Sequence, residues 1–371
     1  MFRPVIQKTR YLVALAIFNY LMFLWASHTI TIEKAIGYDY KIQASQLMKK
    51  AMDYLRTYRL GEQGVFVGDS VLDPNETMLI GTAYGCSTDE GYLDAKVSTL
   101  NPNFAAVIID LLFQAGVEQG DTIALAYTGS MPGANIATLA ACEIMDVEPV
   151  IISSVGASWY GATDTNFTWL DIENELYDEK IFSHKSLMAS IGGKSDVGRG
   201  LTRECQEALQ IAISRNDLNL IYEKDWRNSI KKRVTSYGNI TPISHYRTFI
   251  NIGGGIANVG VGEYNPRNGV LFPEDLMTFQ NESVLKTFSK EKVPVINIRG
   301  IKQLIKLYGL PYFPTPLPPI GEGVLFMKPT YNRIVNFIAL LLTVLATTGI
   351  GIYSHKQIHN RMETHEPESV L

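Results

Sequence analysis

Serines, glycines and one lysine, in loops that follow apolar runs, carry most of the chemistry this 371-residue sequence offers. Gly129-Ser-Met-Pro-Gly133 comes directly after the run Thr122–Tyr127 and directly before a helical pattern from Ala134 to Met145. Ser130 and the backbone N–H groups around it are therefore placed to meet a phosphate, a carboxylate or an oxyanion at a helix N-terminus. Two other readings stay open: Gly129 and Gly133 make the turn while Ser130 caps the helix, or Ser130 is a nucleophile with His245 or Lys194 as its base. The spacing is G-S-x-x-G and not the G-x-S-x-G elbow that exposes a hydroxyl on a strained turn. Ser153 and Ser154 follow the apolar run Val150–Ile152 in the same way. Gly253-Gly-Gly255 follows Phe249–Ile252 and either leaves no side chains between its backbone and a ligand or makes a plain tight turn.

The remaining motifs are weaker. Gly192-Gly-Lys-Ser195 looks like the end of a Walker A loop, but Met188 stands where the first glycine belongs, which argues against a nucleotide loop. Gly156-Ala-Ser-Trp-Tyr-Gly161 is one residue too long for the elbow, and Ser158 reads as structural. Gly68-Asp-Ser-Val-Leu72 resembles the nucleophile block of GDSL-type esterases, yet no Asp-x-x-His supplies a base, so the triad logic fails. In the interior only His184 and His245 are histidines, and three cysteines (Cys86, Cys142 and Cys205) show no zinc spacing. Three cysteines also exclude a disulfide framework. Cys86, near Asp89 and Glu90, is either an inert thiol or a reactive one, and Cys142 belongs to an apolar helix. No cofactor or metal is expected.

Positioning these loops requires an α/β domain. Continuous apolar strands alternating with helices predict a mostly parallel sheet flanked by helices. The strands are expected at Thr77–Ile80, Thr122–Tyr127, Val150–Ile152, Ser186–Ile191, Phe249–Ile252 and Val293–Ile298. Helices are expected at 38–60, from Asn101 to Phe113, at Ala134–Met145, Leu201–Ser214 and Ile301–Tyr308. Pro311–Pro319 reads as a stiff connector. In such sheets ligands bind beyond the carboxyl ends of the strands, where the four loops fall.

The domain is framed by two apolar segments, each with the length of a membrane-crossing helix. We place a basic tail at 1–10, a first span at 11–32, the α/β domain with its stalk helix at 33–319, a connector at 320–333, a second span at 334–352 and a tail at 353–371. The spans also explain why the whole chain carries only 19% charged residues, against about 25% for soluble domains. Arg3, Lys8 and Arg10 hold the first tail in the cytoplasm. Two spans then put both termini in the cytoplasm and the main domain outside it, in the cell membrane. A cleaved signal peptide is the competing reading of the first segment. His355, His359 and His365 in the second tail read as solvated polar residues. With 33 basic and 37 acidic residues and a net charge of −4, a nucleic-acid partner is not expected.

The blocks GTAYGCSTDEGYLDAKVSTLNPNFAAVIIDLL (81–112), ALAYTGSMPGANIA (124–137) and NIGGGIANVG (251–260), set between two terminal spans, resemble the bacterial poly-gamma-glutamate system protein family. That resemblance implies a capsule-related membrane component encoded with the machinery that makes and exports poly-γ-glutamate. The partners it implies are the cell membrane, the other synthesis and export proteins, and the polymer or its end group. It implies a pathway and no particular reaction. The unit around Ser130 also looks like a sugar-isomerase fold unit, in architecture alone. Three functions follow as expectations: a domain that binds a carboxylate-bearing chain or end group, a serine-dependent hydrolase or transferase of the γ-glutamyl amide, or a non-enzymatic assembly scaffold.

Overall fold

The computed structural model describes residues 6, 8–66, 71–261 and 266–364. The Gly68-Asp-Ser70 block and His365 lie outside the described residues. The chain divides into two compact units, one made of residues 1–34 and 327–371 and the other of Ala35–Phe326.

In the smaller unit, α1 (Thr9–His28) is followed by β1 (Ile30–Lys34), and β9 (Met327–Tyr331) by α12 (Arg333–Thr364). β1 and β9 pair antiparallel from Ile30 opposite Tyr331 to Lys34 opposite Met327. Both helices are long and apolar enough to cross a membrane. They pack on each other, with Tyr11 meeting Tyr353 edge to face at 5.9 Å. The first helix stops at His28, short of the expected boundary at 32, because Ile30–Ile32 are drawn into the strand pair. For the same reason the expected connector at 320–333 contains a strand.

The larger unit runs from α2 (Tyr38–Gly61) through α3 (Leu93–Thr99), α4 (Phe104–Gln114), β2 (Thr122–Thr128), α5 (Pro132–Met145) and β3 (Glu148–Ser154) to α6 (Trp169–Asp178). It continues with β4 (Met188–Ser190), α7 (Arg203–Arg215), β5 (Asn219–Ile221), α8 (Trp226–Ile240), β6 (Phe249–Ile252) and α9 (Ile256–Val259). β7 (Gly269–Leu271), α10 (Val284–Lys290), β8 (Val295–Ile298) and α11 (Ile301–Tyr308) complete it. The strands form one seven-stranded sheet in the order β5-β4-β3-β2-β6-β8-β7. Every pairing is parallel except that of β7 with β8, so the sheet is mostly parallel, as expected.

Alternation along β2 explains the layers. Ile123, Leu125 and Tyr127 point to a core shared with α2, α4 and α5, whereas Ala124 and Ala126 point to the opposite core. The small alanines leave room there for Tyr237, Phe249 and Phe288, whose rings meet one another at 4.7 to 6.2 Å. Both faces of the sheet are thereby covered, as a parallel sheet requires. At its centre Asn251 and Asn297 stand opposite each other on β6 and β8, and Asn251 Nδ2 donates to Asn297 Oδ1 at 2.9 Å and to the Gly253 carbonyl at 2.9 Å.

Two expectations are corrected. Thr77–Ile80 forms no strand, because Asp73 captures the Thr77 hydroxyl at 3.0 Å and the Met78 N–H at 2.7 Å. Met78 accordingly sits at φ +61°. Cys86 is neither inert nor a free reactive thiol: it is bonded to Cys205 across 119 residues. Cys142 is free and buried on α5, as expected.

Glu173 on α6 is buried, accepts the Ser186 N–H at 2.9 Å, and has its carboxyl pushed up to about 7 by burial. A raised folded-state value means that this group subtracts stability as pH rises from about 4.5 to 7, with the full deficit present above 7. We expect Glu173→Gln to match the parent in urea unfolding at pH 4.5 and to exceed it by about 1 to 3 kcal/mol at pH 8. Equal stability at both pH values would show that the carboxylate is not desolvated.

Candidate functional site

Strands β3, β4 and β5 extend the sheet on one side of β2, and the chain returns with β6 on its other side. The strand order reverses between β2 and β6, which is where open α/β sheets form a ligand crevice. A cavity of about 910 Å³ lies there. Its walls come from the carboxyl ends of five strands: Thr128 at the end of β2 with Ser130 beyond it, Ser154 at the end of β3 with Gly156 and Ser158 beyond it, Gly193 and Lys194 after β4, Gly253–Gly255 after β6, and Arg299–Lys302 after β8. Thr88–Tyr92, together with Asp94 to Lys96 of α3, close it from outside the sheet.

The Gly253 turn needs its glycine. Its φ is +93°, and a Cβ there would overlap Thr128 Oγ1 of the neighbouring strand end. The turn can thus lie flat against β2 and expose backbone to the cavity.

Among the residues lining the cavity, Lys96 has an unusual environment for a lysine. It is buried, and its Nζ donates to the Ser130 carbonyl and, at 2.8 Å, to Ser158 Oγ. Neither partner is charged, so burial alone acts on the ammonium and lowers its pKa to about 7. Lys41, equally buried, differs in having Asp110 at 2.6 Å to balance its charge.

Ser158 is fixed from three sides. Its N–H donates to Ser130 Oγ at 3.0 Å, the preceding Ala157 carbonyl accepts from Thr88 N–H at 2.8 Å, and the following Trp159 N–H donates to the Asp89 carbonyl at 3.1 Å. The 88–91 loop therefore runs beside Ser158 like a short clasp, and the Cys86–Cys205 bond ties that loop to the first turn of α7. Opposite charges meet at the cavity: Asp89 and Glu90 of the 88–91 loop with Asp94 of α3, and Lys194, Arg299 and Lys302 from other segments. Tyr312 joins them, its phenol pushed up to about 12 by burial and by its hydrogen bond to Asp94, and Lys302 lies over its ring at 5.4 Å.

Beneath the β3 and β4 ends a buried cluster supports the cavity wall. Arg233 Nη2 contacts Asp196 Oδ2 at 3.1 Å, Ser190 Oγ at 2.6 Å and Ser154 Oγ at 3.1 Å. Asp196 also accepts from the hydroxyls of Ser190 and Ser229. Asp196 closes the Lys194 turn through its own N–H to the Gly193 carbonyl at 3.1 Å.

The structure brings Ser130, Ser154, Lys194, Gly253, Gly254 and Gly255 to the one cavity. It does not bring the others. Gly129 and Gly133 serve packing: a Cβ would overlap the Val155 carbonyl at the first and the Thr99 carbonyl at the second. Ser153 is buried against Ser186, Oγ to Oγ 2.7 Å. His245 sits in a 3-10 turn just before β6, at the amino ends of the strands, so it cannot serve as a base for Ser130. Lys96 carries no motif in the sequence, and Ser158 reads there as structural. The faint signal for Lys96 was a cation between Ala95 and Val97 in a short helix whose following residues are buried.

Fold and site together define an α/β protein with a cavity at its strand-order reversal. The chain matches no family model, no curated protein and no solved structure. Among the described residues no group of three or more His, Cys, Asp or Glu side chains could hold a metal ion.

Proposed function

We propose that the protein is a membrane-anchored component of a poly-γ-glutamate synthesis and export system whose cavity binds the polymer at an end group. The observation that carries this reading is a roomy crevice bearing both charge signs. A terminal γ-glutamyl unit presents carboxylates together with an ammonium or amide group. Lys194, Arg299 and Lys302 suit the former, and Asp89, Glu90 and Asp94 the latter. A volume of about 910 Å³ is at the upper end for small-molecule sites and admits more than one residue of a chain. The net charge of −4 offers a polyanion no general attraction, so recognition rests on these local groups.

In this reading both apolar helices span the cell membrane, both termini are cytoplasmic, and the larger unit lies outside. The basic residues ahead of α1 support that orientation. So does the Cys86–Cys205 bond, since such bonds persist in oxidising compartments.

The test is binding of short γ-linked glutamate oligomers to the full chain in detergent micelles, measured by calorimetry at two salt concentrations. Reversing Lys194 and Lys302 to glutamate together is expected to weaken binding about tenfold or more, since each factor of ten needs only about 1.4 kcal/mol. The parent's affinity should fall as salt rises, because these charges are exposed. Equal affinity in parent and variant, or no binding to either, overturns the reading.

A further inference from the structure

The geometry points to a serine–lysine catalytic dyad in this cavity, with Ser158 as nucleophile and Lys96 as general base, that cleaves or transfers an amide bond. For its substrate class it rests on the chain-end reading above; the dyad itself rests on the placement of the two side chains.

Four observations converge. Nucleophile and base are within hydrogen-bond reach, Lys96 Nζ to Ser158 Oγ being 2.8 Å. Both line the cavity. The base is oriented by a second contact, to the Ser130 carbonyl, and the nucleophile's backbone is held by Ser130 Oγ and the Thr88–Asp89 segment. Such fixed geometry is what an attacking group needs. Finally, Ser130 and Met131 stand directly before α5, so the positive end of that 14-residue helix lies at the same wall, where it favours a developing oxyanion. Separately, desolvation of Lys96 provides the neutral amine at physiological pH that a base requires. Among the described residues no carboxylate hydrogen-bonds its Nζ to hold the proton on.

The reaction balances as follows. Neutral Lys96 takes the Ser158 hydroxyl proton while Oγ bonds to the amide carbonyl carbon. The C–N bond then breaks, and the leaving amine takes the proton from Lys96. The acyl-serine ester is attacked by water or by the amine of another chain, which gives its proton to Lys96 as its own bond to the carbonyl forms. The ester C–O bond breaks, Ser158 recovers the proton, and a carboxylic acid or a new amide leaves. Ser130 is a positioning residue in this scheme.

The experiment treats the full chain in detergent micelles with a biotinylated alkyl fluorophosphonate and locates the adduct by peptide mass spectrometry. The adduct is expected on Ser158, forming faster as pH rises through about 7. Ser158→Ala should abolish it, and Lys96→Met should slow it at least about a hundredfold. Lys96→Arg should be as slow, since arginine keeps the charge and cannot give up its proton. An unfolding curve on each variant shows that the fold persists. An adduct on Ser130 instead, no adduct on a folded parent, or an unchanged rate in Lys96→Met overturns the dyad. γ-Linked glutamate oligomers are tested alongside. Labelling of Ser158 without binding or cleavage of the oligomers keeps the dyad and removes the polymer; binding without labelling or cleavage does the reverse.

Discussion

Replacing Asp196 by alanine is expected to lower the unfolding free energy by about 3 to 5 kcal/mol. Asp196 and Arg233 are both almost wholly buried, at 1% and 0% side-chain exposure. Removing the carboxylate leaves a guanidinium in the interior with only the Ser154 and Ser190 hydroxyls as partners, while its Nε and Nη1 have none among the described residues. Desolvation of that unmatched charge dominates the loss, since hydroxyls do not neutralise it. The backbone adds to it: Asp196 is at φ +62°, a region aspartate and asparagine tolerate better than alanine. Replacing both partners by apolar residues of similar size, Asp196→Leu with Arg233→Met, should be far less harmful than Asp196→Ala alone. Guanidinium unfolding of the full chain in micelles measures all three. A double variant as unstable as the single would show that the hydroxyl network, and not the charge, governs the effect.

Opening the Cys86–Cys205 bond is expected to have a loss of similar size, about 3 to 5 kcal/mol, because the bond closes a loop of more than a hundred residues and so restricts the unfolded chain strongly. Its sequence separation of 119 residues sets that estimate. The Cys86→Ser, Cys205→Ser double variant, compared with the parent with and without reductant, checks it: reductant should destabilise the parent and leave the variant unchanged. A local effect goes with the global one. The loop tied down at Cys86 holds both backbone contacts that flank Ser158, so the amide protons of Thr88 and Trp159 should exchange faster once the bond is gone. If those amides are unaffected, the 88–91 segment is fixed by its own contacts and not by the bond.

Much of the framework was legible in the sequence, and the exceptions have physical causes. β2, β3, β6 and β8 are buried on both faces and so read as mainly apolar runs, with Asn251 and Asn297 the interruptions in β6 and β8. β5 and β7 have three residues each, too few to show any period. α8 escaped notice because the face it buries includes Ser229 and Arg233 beside Ile230 and Tyr237, which erases the apolar rhythm by which a helix is recognised. α6 was missed although Thr168 and Asp171 form a capping box at its start. The cavity was foreseen to the level of its loops, because strand ends are visible once strands are. Its chemistry was not. Lys96 and Ser158 are 62 residues apart, in a short helix and an irregular turn, and no spacing rule joins them. Cys86 failed similarly, since only folding reveals a partner so distant.

The strand pair in the smaller unit sets a schedule for making the protein. β9 is made after β1, 299 residues later at the Thr31–Thr330 contact. At about 5 to 20 residues per second, β1 waits about 15 to 60 s for its partner. During that interval its edge, bearing Ile30 and Ile32, is open to any other strand. Ala35 and Phe326, the ends of the larger unit, meet through a 2.8 Å hydrogen bond, so that unit too is closed only when its last residue arrives. A chain that stalls before β9 therefore leaves β1 without its partner strand and that seam unsealed.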